Sequence, residues 1–180
     1  MKVVLLSGGV GGARFARGLV DVAGASRTTV VGNVGDDLEV LGLAVSPDLD
    51  SIVYALAGLH DEERGWGRAG ETWEALATVS SLGGEDWFRL GDRDLGLHLV
   101  RTQALRAGEP LSAVTARIAR ALGVGTDELE QVDYLIDPQR GADGMLEGFI
   151  IYFWDGATPE FLAKIDGLVN GRWVRIGPVL

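Results

Sequence analysis

The sequence predicts an α/β protein, a Rossmann-like three-layer sandwich with a mainly parallel sheet. Three observations predict it. The chain opens on a short apolar run, Val3-Val4-Leu5-Leu6, that breaks straight into Ser7-Gly8-Gly9-Val10-Gly11-Gly12-Ala13-Arg14. A helical stretch and a second apolar run, Thr28 to Gly32, follow at once, and a βαβ unit of this kind needs parallel strands. No repeat or low-complexity linker interrupts the 180 residues, so one α/β domain over 1–180 is expected.

The elements follow in order. Val3 to Leu6 is apolar without alternation, as in a strand buried on both faces. A helix is expected from about Ala13 to Ala23, then the strand Thr28 to Gly32 and a polar turn, Asn33-Val34-Gly35-Asp36-Asp37. A short apolar piece, Val40 to Val45, leads to Ser46-Pro47-Asp48-Leu49-Asp50. Pro47 suits a first helical position behind a Ser46 cap. Ile52, Val53, Leu56 and Leu59 are spaced for one buried face of that helix. Gly65 to Gly70 reads as a loop, and Thr72 to Leu82 as a helix with Trp73, Leu76 and Val79 on one side. A helix from Leu95 to Arg106 follows Gly91-Asp92-Arg93-Asp94. After a break at Gly108–Pro110, Ser112 caps a helix through Val114, Ile118, Ala121 and Leu122 that Gly123 ends. Phe149 to Trp154 reads as a buried strand, Pro159 to Val169 as a helix and Trp173 to Ile176 as a short strand.

Composition narrows the function classes. Hydrophobic residues make up 47%, enough for a real core. The net charge is −10, and no basic face stands ready to neutralise phosphates, so a nucleic acid partner is not expected. Acidic side chains outnumber basic ones most from Asp127 onward, whereas arginines cluster between Arg89 and Arg120. The absence of cysteine excludes a disulfide framework and thiolate chemistry. With only His60 and His98, a metal would be held by oxygen ligands, which favours magnesium or calcium. The first apolar run is too short for a signal peptide, and no stretch approaches a membrane span. A cytoplasmic protein with no membrane contact is the expectation.

The glycine junction is the strongest chemical signal. A buried strand that ends in glycines and feeds a helix lets an anion approach the backbone N–H groups, with the helix dipole aimed at it. Close packing alone is the plainer explanation. Gly8, Gly9, Gly11, Gly12, Arg14 and Asn33 are therefore candidate phosphate- or nucleotide-binding residues. The dinucleotide fingerprint would need glycine where Arg14 stands and an acid where Asn33 ends the second strand. The P-loop ending Gly-Lys-Ser/Thr is also absent. Asp36 and Asp37 fall on the same rim and are candidate ligands for a divalent ion on a diphosphate, or simple turn residues. Asp48 and Asp50 suit a cap and a helix dipole. Within Gly91-Asp92-Arg93-Asp94, Arg93 could meet a phosphate, and Asp94 and His98 are i,i+4 partners.

Together these segments resemble one family. Ser7 to Phe15, Asn33 to Asp37, Ser46 to Asp50, Arg64-Gly65-Trp66-Gly67, Glu71-Thr72-Trp73 and Leu90 to Asp94 occur in this order, followed by His98-Leu99-Val100-Arg101-Thr102. The pattern is similar to 2-phospho-L-lactate transferase, particularly its actinobacterial form, which makes the deazaflavin coenzyme F-420. The resemblance implies transfer of a phospholactyl or phosphoenolpyruvyl group from a guanosine diphosphate-linked donor to the deazaflavin Fo. GMP leaves, and magnesium (Mg2+) is required. It implies that Asp50 and Arg89 contact Fo, that Asp36, Asp37 or Asp50 serves the metal or the acceptor hydroxyl, and that the glycine loop holds donor phosphates. Asp50 and Asp37 are the catalytic candidates, and Trp66 or Trp87 suits the flat ring. A homodimer is a family trait. Residues 1–125 are family-like and residues 126–180 diverge. The chain lacks a Gly-Pro-Ser-Asn segment found in longer family members, so a shortened relative is expected. A nucleotide-sugar-binding regulatory protein of the same fold and an inactive scaffold are the alternatives.

Overall fold

A computed structural model describes residues 3–124 with their side chains and, beyond them, the backbone of four strands. The first strand, β1 (Val3–Ser7), pairs in parallel with β2 (Thr28–Gly32), in register from Val3 opposite Thr28 to Ser7 opposite Gly32. Between them runs α1 (Gly9–Ala23). A later strand, numbered β5 in chain order (Leu129–Gln131), adds in parallel to the other edge of β2. The order β1-β2-β5 makes the expected parallel sheet of an α/β fold. Because β1 and β2 are parallel, the glycine turn and the Asn33–Asp37 turn leave the sheet at the same edge, where α/β proteins place their ligands.

Small side chains explain how closely the helices pack. Ala13 and Ala16 of α1 are fully buried against Val30 of β2 and against Ile52 and Ala55 of α2 (Pro47–Leu56). A Cβ on Gly32 would overlap the Leu49 side chain, so glycine is what lets α2 lie on β2. The apolar piece Val40 to Val45 is not one segment. It folds as a hairpin, β3 (Leu38–Val40) against β4 (Leu43–Val45), turned by Leu41 and Gly42, both at positive φ. Val40 and Val45 pack on Leu90. Thr102 ties the hairpin to α4 (Asp92–Arg106): its hydroxyl accepts from the Ala44 N–H at 2.8 Å and donates to the His98 carbonyl at 2.7 Å. Ala104 of α4 packs on Val114 and Ile118 of α5 (Leu111–Ala121).

Helix starts depart from the expectations, each for a stated contact. α1 begins at Gly9 rather than Ala13, so the glycines form its first turn. Ser46 does not cap α2: its hydroxyl donates to Asp37 at 2.7 Å. α2 ends at Leu56, before Gly58 at φ 68°, so Leu59 lies beyond it. Ser112 lies inside α5, whose cap position is Pro110. α4 begins at Asp92, three residues early, because the Glu71 carboxylate accepts from the Arg93 and Asp94 N–H groups at 2.8 and 3.1 Å. Asp92 returns the favour to α3 (Glu74–Ser81), accepting from the Glu74 and Ala75 N–H groups at 3.1 and 3.0 Å. Each helix start is thus capped by a carboxylate from beside the other.

Beyond β5, β6 (Tyr134–Arg140) runs antiparallel to β7 (Leu146–Phe153), and β8 (Val174–Ile176) adds in parallel to β7. The strands expected near Phe149 and Trp173 correspond to β7 and β8. The helix expected at Pro159 to Val169 lies outside the described residues. Among the described residues no helix is long and apolar enough to cross a membrane.

Candidate functional site

The site begins at the glycine turn. Gly9 takes a left-handed φ of 65°, and its N–H donates to Asp48 Oδ1 at 2.6 Å. The other Asp48 oxygen accepts from Asn33 Nδ2 at 3.1 Å. Asp48 therefore serves the first turn of α1 from across the site, not its own helix as the cap rule predicted. A Cβ on Gly8 would lie 2.8 Å from Asp48 Oδ2, and one on Gly12 would lie 2.7 Å from Ser7 Oγ. Those two glycines are demanded by close approach within the protein. Gly9 and Gly11 have no such neighbour, and the space beside them is open.

A cleft of about 220 Å³ lies against this turn. Gly9 and Val10 form one side, and Asp48, Asp50 and Tyr54 of α2 line another. Asp94 and His98 of α4 also line it, as do Trp66, Phe88 and Arg89 from the loops. Carboxylates and aromatic rings therefore share one small space. Carboxylates accept from hydroxyl groups, and rings offer a flat apolar surface.

Beneath the cleft a buried polar network joins α2 to α4. Arg101, which is 0% exposed, grips both oxygens of Asp50, Nη1 reaching Oδ2 at 2.9 Å and Nη2 bonding Oδ1. Burial works against the Arg101 charge, but Asp50 outweighs it and holds Arg101 above its ordinary range. His98 Nδ1 lies 3.1 Å from Arg101 Nη1, and His98 Nε2 lies 3.6 Å from Asp94 Oδ1. The Tyr54 hydroxyl donates to Asp94. Burial alone would raise Asp94, yet His98 and Tyr54 keep it below the usual carboxylate range. Burial, and then the Asp94 charge, push Tyr54 far up, so it stays a neutral donor.

The remaining sequence candidates fall in different places. Asn33 stands behind the glycine turn, its amide also donating to Asp36 at 3.1 Å and its oxygen accepting from Gly35 N–H. Asp36 and Asp37 sit in an exposed turn and bond different partners, Asn33 and Ser46. The Asp37 carboxyl is nonetheless desolvated, which raises it to about 6 against the opposing Ser46 bond and Arg101, with Asp50 and Asp36 adding to the rise. Among the described residues no three His, Asp or Glu side chains converge as a metal cage. Magnesium usually takes one or two carboxylates plus substrate phosphates and water. Asp36 and Asp37, two neighbouring carboxylates on one turn, match that number.

Arg89 lines the cleft and lies 5.8 Å from the Trp73 ring centre. Arg64 lies over both Trp73 and Trp66, which meet edge to face at 6.3 Å. Trp87 stacks edge-on against Phe88 and is 65% exposed. Arg93 is exposed and does not line the cleft. Arg14 does not either: it faces a separate open groove, 3.4 Å from His60 Nε2 and 3.5 Å from the Gly65 carbonyl. The cleft thus brings together Gly9, Asp50 and Arg89, with Gly8 and Asn33 adjoining through Asp48. Tyr54 carried no motif, and Arg101, which by sequence alone reads as part of a solvated helix face within the His98–Thr102 motif, is instead buried on Asp50. The signal for the buried role of Arg101 was the spacing Asp94, His98, Arg101 at i, i+4 and i+7, a polar stripe on one face of α4.

Fold and site define an α/β domain with a carboxylate- and aromatic-lined cleft beside a glycine turn. Residues 3–129 match the family 2-phospho-L-lactate transferase CofD, and the chain belongs to that family. A phosphoenolpyruvate transferase of Streptomyces griseus is 44% identical over 173 residues, covering 96% of this chain and 53% of that protein. One from Streptomyces avermitilis is 54% identical over 116 residues, 64% of this chain and 36% of that protein. One from Nocardia farcinica is 47% identical over 133 residues, 73% of this chain and 40% of that protein. The chain spans about half or less of the length of these curated relatives. Among solved structures, a UPF0052 family protein from Bacillus halodurans aligns with 99% of this chain and 59% of its own, at 15% identity and a TM-score of 0.46.

Proposed function

We propose that this chain serves the transfer of a phosphoenolpyruvyl or 2-phospholactyl group to the deazaflavin Fo in coenzyme F-420 biosynthesis, and that its cleft takes the acceptor. The observation that carries this reading is the meeting of Asp48, Asp50 and Asp94 with Trp66 and Arg89 in one cleft beside the glycine turn. Three carboxylates repel a diphosphate but accept bonds from a polyol chain, and Trp66 suits the flat ring of the same acceptor. The family membership and the names of the relatives supply the group transferred.

In the reaction an acceptor hydroxyl oxygen attacks the phosphorus that bears the enolpyruvyl or lactyl group. A new P–O bond forms, the P–O bond to GMP breaks, and GMP leaves with the bridging oxygen. Such chemistry needs positioning and charge neutralisation more than a covalent catalyst. Asp50, fixed by Arg101, orients the hydroxyl and is placed to take its proton. Arg89 at the rim meets the acceptor or the incoming anion. The open side of Gly9 and Gly11 leaves room for donor phosphates at the start of α1. Asp36 and Asp37 would hold magnesium, which when bound neutralises the donor diphosphate.

Incubation of the chain with Fo, magnesium and a guanosine diphosphate-linked donor, followed by mass detection, tests this. The expected products are Fo carrying the transferred group and an equal amount of GMP. Binding of a UDP-sugar with no binding of Fo would favour the regulatory reading instead.

A further inference from the structure

The polar stripe of α4 has a fixed proton arrangement. Arg101 and His98 are 0% and 1% exposed, so the groups packed around them set their bonds. Arg101 Nη1 carries two N–H groups. One is directed to Asp50 Oδ2 at 2.9 Å and the other to His98 Nδ1 at 3.1 Å. A guanidinium nitrogen only donates, so the ring nitrogen facing it must accept. His98 Nδ1 therefore carries no proton, and the neutral ring bears its proton on Nε2, the side turned to Asp94. The rival arrangement is an imidazolium held between Asp94 and Asp50, with Nδ1 3.8 Å from Asp50 Oδ2. It would set an N–H of one cation against an N–H of another at 3.1 Å, in a buried site where solvent screens them little.

We propose that His98 is a positioning residue locked as the Nε2–H tautomer, which holds Arg101, and through it Asp50, in the orientation that meets the acceptor hydroxyl. His98 is not the general base. Its lone pair is spent on Arg101, and its other nitrogen, which makes no hydrogen bond, lies 3.6 Å from Asp94, whose carboxylate the Tyr54 hydroxyl holds. The ring accepts a hydrogen bond from the second N–H of Nη1, so the guanidinium has one low-energy arrangement rather than two. The charged groups facing the ring are Asp50 from α2 and Asp94 and Arg101 from its own helix, with Tyr54 of α2 bonded to Asp94. The role assigned to His98 rests on the acceptor reading above, while its tautomer does not.

Two experiments on the whole chain separate the two claims. Nitrogen-resolved NMR of the unmodified, ligand-free protein at neutral pH reads the His98 ring directly. A neutral ring with the proton on Nε2 is expected; a proton on Nδ1 overturns the proposal. Fo titration of two variants then reads the coupling to Asp50. The Asn amide oxygen stands in for Nδ1 and the Gln amide nitrogen for Nε2. His98→Asn is expected to bind Fo within about threefold of the native chain, and His98→Gln about tenfold more weakly or worse, a difference of about 1.4 kcal/mol per factor of ten. Urea unfolding of both variants confirms that they fold. Gln binding as well as or better than Asn overturns the positioning role. If the native chain itself does not bind Fo, the acceptor reading fails, and the NMR result still decides the tautomer.

Discussion

Replacing Arg101 with methionine removes the cation that Asp50 is built around and leaves the carboxylate where it was. Asp50 is 6% exposed and Arg101 0%, so neither partner reaches water easily. Arg101 meets both Asp50 oxygens, so the substitution deletes two charge-assisted bonds and strands a buried charge. Breaking one half of a buried pair costs about 3–5 kcal/mol, whereas exchanging both halves for apolar side chains is often neutral. Methionine keeps most of the aliphatic length, so lost packing is the smaller effect. Arg101→Met should thus lose about 3–5 kcal/mol, and adding Asp50→Leu should recover most of it. A domain of this kind has only about 5–15 kcal/mol in total, so the single variant is expected to lose a large share of its stability. Urea unfolding followed by tryptophan fluorescence measures both variants by linear extrapolation. A single variant within about 1 kcal/mol of the native chain, or a double variant less stable than the single, would refute the reasoning.

Three further outcomes are expected. Desolvation sets Asp37 at about 6 in the fold against an ordinary 3.8, so between these values the folded chain binds more protons than the unfolded chain. Its contribution to stability is full below 3.8 and is lost as pH rises towards 6; Asp37→Asn should remove that fall, and urea midpoints measured from pH 4 to 7 with an unchanged slope would contradict it. Glu71→Ala should cost about 1 kcal/mol and speed amide exchange at Arg93 and Asp94, whose N–H groups lose their acceptor. Unaltered exchange at both amides would show that the cap is not made. Trp66→Ala should weaken Fo binding about fivefold through the lost ring contact, and equal affinity in a fluorescence titration would remove Trp66 from the site.

The parts of this fold that were legible in the sequence are those made by neighbours. The βαβ start depends on two apolar runs and the helix between them, which are adjacent in the chain. The β3–β4 hairpin was hidden because Leu41-Gly42 stands where a hairpin signal would be Asn-Gly. The true start of α4 was hidden because its acceptor, Glu71, lies 22 residues before Arg93. Asp48 looked like a local cap, but its partner is the Gly9 N–H, 39 residues away. Arg14 was placed beside the glycines by sequence alone. Once the helix starts at Gly9, five residues turn Arg14 about 140° around the axis from it, towards His60. Asp50 and Arg89 were legible through the family motifs, and both line the cleft. Arg101 also lies in a family motif, but its role was not legible, since only the fold carries its side chain to Asp50, 51 residues earlier.

Fo titration in the presence of magnesium, with the native chain and Asp50→Ala side by side, tests the central claim most directly. Saturable binding by the native chain, lost in Asp50→Ala, is the predicted result. No saturable binding by the native chain, or equal binding by Asp50→Ala, would contradict the assignment of this cleft to the acceptor.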